Sequence, residues 1–180
     1  MNTELSASAV CEELVQHFES LHDGDLRAIG LQPKLCPAGY WTIGFGRVVI
    51  DPVTKGTVRG EEGRARALQL WPQLSVVDAI RFLREDLAIR ADRVRKLVQR
   101  KLLQHQFDAL VSFEYNTGKL GSASLLRHVN AGKWAEAAAE FLKWDMARVN
   151  GKLVELPGLV RRRQAERELF IGGNWKRFLR

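Results

Sequence analysis

The sequence is poor in the residues that build disulfide scaffolds and metal sites. Its 180 residues include only two cysteines, Cys11 and Cys36, and four histidines. The cysteines form no CxxC pair and the histidines show no metal-ligand spacing, so we expect neither a disulfide framework nor a bound metal. No apolar run approaches the roughly 18 residues that a membrane span needs. The acidic N-terminus lacks a basic segment followed by an apolar one, so we expect no secretory signal.

Acidic residues are outnumbered, which leaves an excess of positive charge. Lysine and arginine total 28 against 21 acidic residues, for a net charge of +7 and a pI near 9.8. This excess favours an anionic partner such as nucleic acid, a membrane surface or a bacterial wall polymer, with simple solubility as the alternative. Basic residues crowd the stretch 81–101 and the C-terminus, where Arg161, Arg162 and Arg163 are consecutive. Such runs are either solvated faces or the anion-binding surface.

Helical periodicity runs through most of the chain. It predicts a first helix from Ser8, as its N-cap, to Glu19. A long helix is predicted from Val76 to Val98, about 35 Å at 1.5 Å per residue. Further helices are expected at 106–115, 122–132, 133–144 and 158–170. Because so long a helix in a small protein usually joins two lobes, we expect a lobe at 1–75, a connecting helix at 76–98 and a helical lobe at 99–180.

One segment has the period of a strand instead. Trp41, Ile43 and Phe45 alternate with Thr42 and Gly44, and glycine and proline residues bound the run. This pattern predicts a small sheet or hairpin with Thr42 on the face opposite Trp41 and Ile43. A short sheet beside several helices is typical of an α+β fold.

Five motifs follow one another in an order that identifies a family. The motifs are FESL at 18–21, CPAGYWTIGFG at 36–46, QFDALVSFEYNTG at 106–118, SLLRHVNAGKW at 124–134 and GLVRRRQAERELF at 158–170. In this order they resemble the phage lysozymes of glycoside hydrolase family 24. The resemblance implies a lysozyme-like α+β fold: a small N-terminal lobe with a short β-sheet, a long connecting helix and a helical C-terminal lobe. It implies hydrolysis of the β-1,4 bond between N-acetylmuramic acid and N-acetylglucosamine in peptidoglycan, and no cofactor.

The resemblance also assigns catalytic roles. Glycosidic cleavage needs an acid that protonates the leaving oxygen, and the resemblance gives this role to Glu19. It gives Thr42 the positioning of the attacking water. The family's aspartate position holds Cys36, and because a thiol is mostly neutral at pH 7, Cys36 either assists as a thiolate or only shapes the cleft. Asp23 or Asp25, in a segment 22–35 that looks like an insertion, could supply the missing carboxylate.

Substrate contacts are implied on the helical lobe, at Tyr115, Asn116 and Ser124. An aromatic face can stack on a sugar ring, and an amide can pair with an acetamido group. The structural alternative is that Tyr115 belongs to the core and that Asn116 begins a helix C-cap and turn.

Two other functions remain open from the sequence. A lytic transglycosylase would cleave the same bond without a second carboxylate. A non-enzymatic cationic module would bind nucleic acid or disrupt membranes, although no nucleic-acid fold motif is present. We expect a monomer that binds peptidoglycan, no nucleic acid and no stable membrane insertion. It would stay in the host bacterial cytoplasm until a holin-type pore released it to the periplasm.

Overall fold

The computed structural model describes residues 2–19, 31–36, 38–149 and 151–179, with only the main chain at position 149. The helices in these ranges are α1 (Ala9–Glu19), α2 (Arg64–Leu70), α3 (Val76–Leu97), α4 (Gln104–Thr117), α5 (Ser124–Ala131), α6 (Trp134–Phe141) and α7 (Pro157–Phe170). The strands are β1 (Lys34–Leu35), β2 (Trp41–Ile43), β3 (Arg47–Val48), β4 (Met146–Val149) and β5 (Lys152–Glu155). The predicted α+β class and the long helix are therefore confirmed. None of the helices in the described part of the chain has the length and apolar character needed to cross a bilayer.

The chain divides into two compact units. One comprises Glu19–Asp86, and the other comprises Met1–Phe18 together with Leu87–Arg180. Most of α1 thus groups with the C-terminal residues rather than with a lobe at 1–75. The reason is that Cys11 and Leu14 are fully buried, and that the Asp108 carboxylate of α4 accepts hydrogen bonds from the amide and the hydroxyl of Ser8 at 3.0 and 2.6 Å.

Three short antiparallel strands form the sheet of the unit Glu19–Asp86. Their order is β1-β2-β3, and Thr42 of β2 lies opposite Lys34 on one side and Val48 on the other. Trp41, Thr42 and Ile43 are all buried. The alternating sequence predicted the strand, and side chains on both of its faces are buried.

The turn after β2 packs closely on α3, and two glycines make this possible. A Cβ added at Gly44 would lie 3.2 Å from the Cβ of Ala79 on α3, and Gly44 and Gly46 have positive φ of 54° and 91°. Arg47 then ties β3 to the same helix. Its guanidinium donates to both carboxylate oxygens of Asp86 at 2.7–3.2 Å and to the carbonyl of Phe82 at 3.3 Å.

A buried ion cluster in the other unit corrects the predicted basic surface. Arg162 and Arg163 are only 2% and 0% exposed, so they do not belong to a solvated face. Both approach Glu166 of the same helix, at 3.2 and 2.7 Å, and the Ser112 hydroxyl donates to that carboxylate at 2.7 Å. Glu166 follows Arg162 by four residues and Arg163 by three, so the opposite charges are neighbours on α7. Their attraction compensates for the cost of removing these charges from water.

The hairpin β4–β5 was not predicted from the sequence. Its strands pair from Met146 opposite Glu155 to Val149 opposite Lys152, and β5 is exposed along its length. Because no face of β5 is buried, no alternation of apolar residues marks it. The available signal was the Asn-Gly dipeptide at 150–151, which is favoured in two-residue hairpin turns.

Asp51 joins the loop after β3 to α2 and makes the stability of its unit depend on pH. Its carboxylate accepts a hydrogen bond from the amide of Val53 at 2.8 Å and one from Arg66 at 2.6 Å. The hydrogen bond from Arg66 holds the pKa of Asp51 well below its usual range. A depressed pKa stabilises the fold above the unfolded value of about 3.9, and that stabilisation is lost as the pH falls toward the folded value.

We expect Asp51→Asn to lower the melting temperature at pH 6, because the amide cannot accept the same charged hydrogen bonds. The difference in melting temperature between the variant and the wild-type protein should narrow as the pH falls to about 2.5. Below the unfolded pKa, the lowered pKa of Asp51 stabilises the wild-type fold less and less. Thermal unfolding followed by circular dichroism at several pH values measures this gap. A gap that stays constant from pH 6 to the acid limit would contradict the role of Asp51.

Candidate active site

Glu19 is the last residue of α1, and its carboxylate lies against the turn between β2 and β3. Its side chain is half-buried. A Cβ added at Gly46 would lie 3.9 Å from Oε2 of Glu19. The absence of a side chain at Gly46 therefore leaves room beside the candidate acid, and the TIGFG motif supplies the surface that the carboxylate faces.

Thr42 is positioned by the sheet. It is 4% exposed, and its hydroxyl donates a hydrogen bond to the carbonyl of Lys34 on β1 at 3.1 Å. That bond uses the hydroxyl proton and leaves oxygen lone pairs to accept a hydrogen from water. The geometry is thus compatible with holding a water molecule through an accepted hydrogen bond.

Cys36 lies just beyond β1 and shares a sheet face with Thr42. Its amide donates to the carbonyl of Tyr40 at 2.8 Å, and its carbonyl accepts from the amide of Gly39 at 2.8 Å. These bonds extend the β1–β2 register, so that Cys36 opposes Tyr40. Because side chains alternate along a strand, Cys36, Tyr40, Lys34 and Thr42 lie on the same face. The structure thus brings two of the three predicted catalytic side chains together, and Glu19 faces the turn that follows β2.

The predicted substrate contacts lie in the other unit, on α4 and α5. Tyr115 is half-buried and Asn116 is exposed. The side-chain oxygen of Asn116 accepts a hydrogen bond from the buried Arg163, which leaves the amide hydrogens of Asn116 available as donors. Asn116 also stands one residue before the end of α4, where Gly118 is a left-handed C-cap as the structural alternative required.

Ser124 begins α5, and its hydroxyl is engaged within the protein. It hydrogen-bonds to the Glu140 carboxylate, whose pKa is held below its usual value chiefly by a hydrogen bond from Lys143. The Ser124 hydroxyl is therefore already bound to an acidic side chain.

Asp23, Asp25 and most of the segment 22–35 lie outside the described residues. A cavity of about 330 Å³ lies between β1 and α2, lined among others by Leu35, Trp41 and Arg64, and it does not include Glu19 or Thr42. Within the ranges that the structure describes, no three His, Cys, Asp or Glu side chains could together hold a metal ion.

Comparison with known proteins decides the family. Residues 25–166 match the family model described as phage lysozyme. The chain belongs to the phage lysozyme family. The matched range includes Cys36, Thr42 and the three residues on α4 and α5, and it begins after Glu19. The role of Glu19 as the acid therefore rests on the motif resemblance and on its position at the end of α1 beside Gly46.

Individual relatives of this family member agree with that result. It is 33% identical over 159 residues to the endolysin of Acyrthosiphon pisum secondary endosymbiont phage 1, covering 87% of this chain and 92% of the relative. It is 38% identical over 165 residues to the endolysin of Bacillus phage B103, which covers 91% of this chain and 53% of that protein. The chain thus spans about half the length of the Bacillus phage relative.

Solved structures give the same fold. The muramidase domain of SpmX from Asticaccaulis excentricus is 32% identical, with a TM-score of 0.69 and coverage of 93% of this chain and 98% of that one. The endolysin from Escherichia coli O157:H7 phage FAHEc1 is 24% identical, with a TM-score of 0.72 and coverage of 93% and 94%. The second likeness supports the fold alone. The predicted lysozyme-like fold is confirmed.

The two cysteines of this family member should differ sharply in reactivity. Both are free thiols, and burial raises the pKa of Cys11 well above its ordinary value while Cys36 is only half-buried. We expect one thiol to react readily with a disulfide reagent in the native protein and the second to react only after unfolding. Titration of the wild-type protein and of Cys36→Ser measures this. A fast-reacting thiol that persists in Cys36→Ser would contradict the assignment.

Proposed function

We propose that this phage lysozyme family member hydrolyses the β-1,4 bond between N-acetylmuramic acid and N-acetylglucosamine in peptidoglycan. Its endolysin relatives and the 32% identical muramidase domain support a peptidoglycan hydrolase of the lysozyme type. The observation that carries the catalytic part of the proposal is the half-buried Glu19 carboxylate against Gly46.

In the proposed reaction Glu19 acts as the general acid. It donates its proton to the glycosidic oxygen as the bond to the anomeric carbon breaks, so that the leaving sugar departs as an alcohol. Thr42 orients the attacking water by accepting a hydrogen bond from it, since the Thr42 hydroxyl already donates its own hydrogen bond to the Lys34 carbonyl. Cys36, on the same sheet face, shapes the site, and as a thiolate it would also accept the proton that the water loses.

The proposed contacts on α4 divide the recognition of the sugar between apolar and polar groups. The ring of Tyr115 offers a face for stacking on a pyranose. Asn116 offers its amide hydrogens to an acetamido carbonyl, and its contact with the buried Arg163 supports that orientation. Ser124 has the weakest support because its hydroxyl is bound to Glu140.

The alternatives are not favoured. A lytic transglycosylase and a non-enzymatic cationic module both lack support among the endolysin and muramidase relatives. The cationic module is weakened further because Arg162 and Arg163 are buried and cannot contact nucleic acid or lipid.

The route to the substrate belongs to the same proposal. We infer that the protein acts as a monomer, is made in the cytoplasm of an infected bacterium and reaches the wall through a holin-type pore. Its relationship to phage endolysins supports this inference, because an enzyme of this kind must meet peptidoglycan only at the time of lysis.

Glu19→Gln should abolish wall lysis while leaving the fold intact, because glutamine keeps the size of the side chain and removes the transferable proton. We expect the rate to fall by at least about 100-fold. The measurement is the loss of turbidity of permeabilised Gram-negative cells.

Glu13→Gln is the matched control, since it makes the same chemical change on the same helix. Glu13 is exposed and pairs with Lys176, an interaction of small energetic value at the surface. Near-normal lysis by Glu13→Gln is expected. Near-normal lysis by Glu19→Gln with an unchanged melting temperature would rule out Glu19 as the acid.

A further inference from the structure

We propose that Arg59, held over the ring of Tyr40, binds a carboxylate of the peptidoglycan strand at the rim of the sheet face that carries Thr42 and Cys36. This inference rests on the proposed function, since it names a subsite for the same substrate. The juxtaposition involves three segments of the unit Glu19–Asp86: the end of β1, the start of β2 and the segment before α2.

The backbone places these side chains on one face. Tyr40 is bridged to Arg59 as an antiparallel partner, and on its other side it opposes Cys36 through the 2.8 Å hydrogen bond from the Cys36 amide. Cross-strand partners point to the same side of a sheet. Thr42 follows Tyr40 by two residues, so it points to that side as well, about 7 Å along the strand.

Burial decreases along this face from Thr42 toward Arg59. Thr42 is 4% exposed, Cys36 and Tyr40 are half-buried, and Lys34 and Arg59 are exposed. A ligand that reached the Thr42 hydroxyl from the side of Tyr40 would therefore pass the exposed Arg59 at the rim. The exposed Lys34 lies directly opposite Thr42.

An aromatic ring, and not an acidic side chain, holds the Arg59 guanidinium. The guanidinium carbon lies 4.6 Å from the centroid of the Tyr40 ring, a distance typical of a cation–π contact. Among the residues that the structure describes, Arg59 forms no ion pair, whereas Arg47, Arg66 and Arg81 of the same unit each bind a carboxylate. The contact with the ring holds the guanidinium beside Tyr40 and uses no carboxylate of the fold, so its N–H donors remain for a bidentate carboxylate of the ligand.

The chemistry of the substrate supplies that carboxylate. Muramic acid carries a lactyl carboxyl group, which is ionised when the strand is unsubstituted, and the peptide stems carry further carboxylates. Both sources offer the planar, two-oxygen acceptor that a guanidinium recognises. N-acetylglucosamine carries none, so the subsite would recognise the muramic acid side of the cleaved bond.

The test measures binding of the protein to purified walls by co-sedimentation, in the Glu19→Gln background so that the walls stay intact. We expect Arg59→Gln to weaken binding by about threefold to tenfold. Arg148→Gln removes the same charge from the exposed hairpin strand β4 and should change binding by less than about twofold. Tyr40→Phe should keep the affinity, because the ring remains, and Tyr40→Ser should weaken binding by no more than Arg59→Gln does. Melting temperatures identify any variant that fails to fold.

Walls whose carboxyl groups have been converted to amides provide the decisive comparison. On these walls Arg59→Gln should bind as well as its parent. A binding deficit of Arg59→Gln that persists on amidated walls, or no deficit on native walls, would overturn the proposal.

Walls stripped of their peptide stems distinguish the two sources of carboxylate. If Arg59→Gln still binds these walls more weakly than its parent, the ligand is the lactyl carboxylate. If the two proteins bind them equally, the ligand is a carboxylate of the stems. Because sedimentation requires no turnover, failure of the acid role of Glu19 would instead appear as solubilised wall.

Discussion

The guanidinium of Arg47 joins strand β3 to helix α3, and the candidate acid site depends on that junction. Arg47 binds both oxygens of Asp86, one oxygen of Glu85 and the carbonyl of Phe82, and it lies 4.5 Å from the centre of the Phe82 ring. A partly buried, bidentate pair of this kind holds its geometry better than a single exposed ion pair. Gly46 directly precedes Arg47, so the surface against which the Glu19 carboxylate lies is fixed to α3.

The neighbouring strands β1 and β2 link the proposed chemistry to the proposed recognition of substrate. The Thr42 hydroxyl donates a hydrogen bond to the Lys34 carbonyl, and the ring of Tyr40, two residues earlier, contacts the Arg59 guanidinium. One face of the strands β1 and β2 thus carries the buried Thr42 hydroxyl and, on either side of Tyr40, the Cys36 thiol and the bridged, exposed Arg59. Within this unit Arg47 binds carboxylates of the fold, whereas Arg59 contacts an aromatic ring.

Patterns that reflect regular periodicity could be predicted from the sequence. The spacing of apolar residues gave α3 to within one residue of its observed end at Leu97, and the alternation around Trp41 marked β2. The hairpin β4–β5 escaped prediction because β5 is exposed along its length and has no buried face. The burial of Arg163 also escaped, since a run of arginines indicates a solvated surface unless the acid three residues later, Glu166, is recognised as its partner. Roles for Glu19, Thr42 and Cys36 came from the family resemblance, because isolated polar residues carry no periodic signal.

The products of wall digestion test the central claim, hydrolysis at muramic acid, most directly. Mass spectrometry of the soluble fragments identifies the sugar at each new end. Hydrolysis predicts reducing ends of N-acetylmuramic acid that have gained one water, and with heavy-oxygen water the label should appear at those ends. Fragments ending in anhydromuramic acid would show that the sugar's own hydroxyl attacks, and reducing ends of N-acetylglucosamine would show cleavage of the other glycosidic bond. Either of those results would contradict a muramidase with Glu19 as its acid and a water held by Thr42.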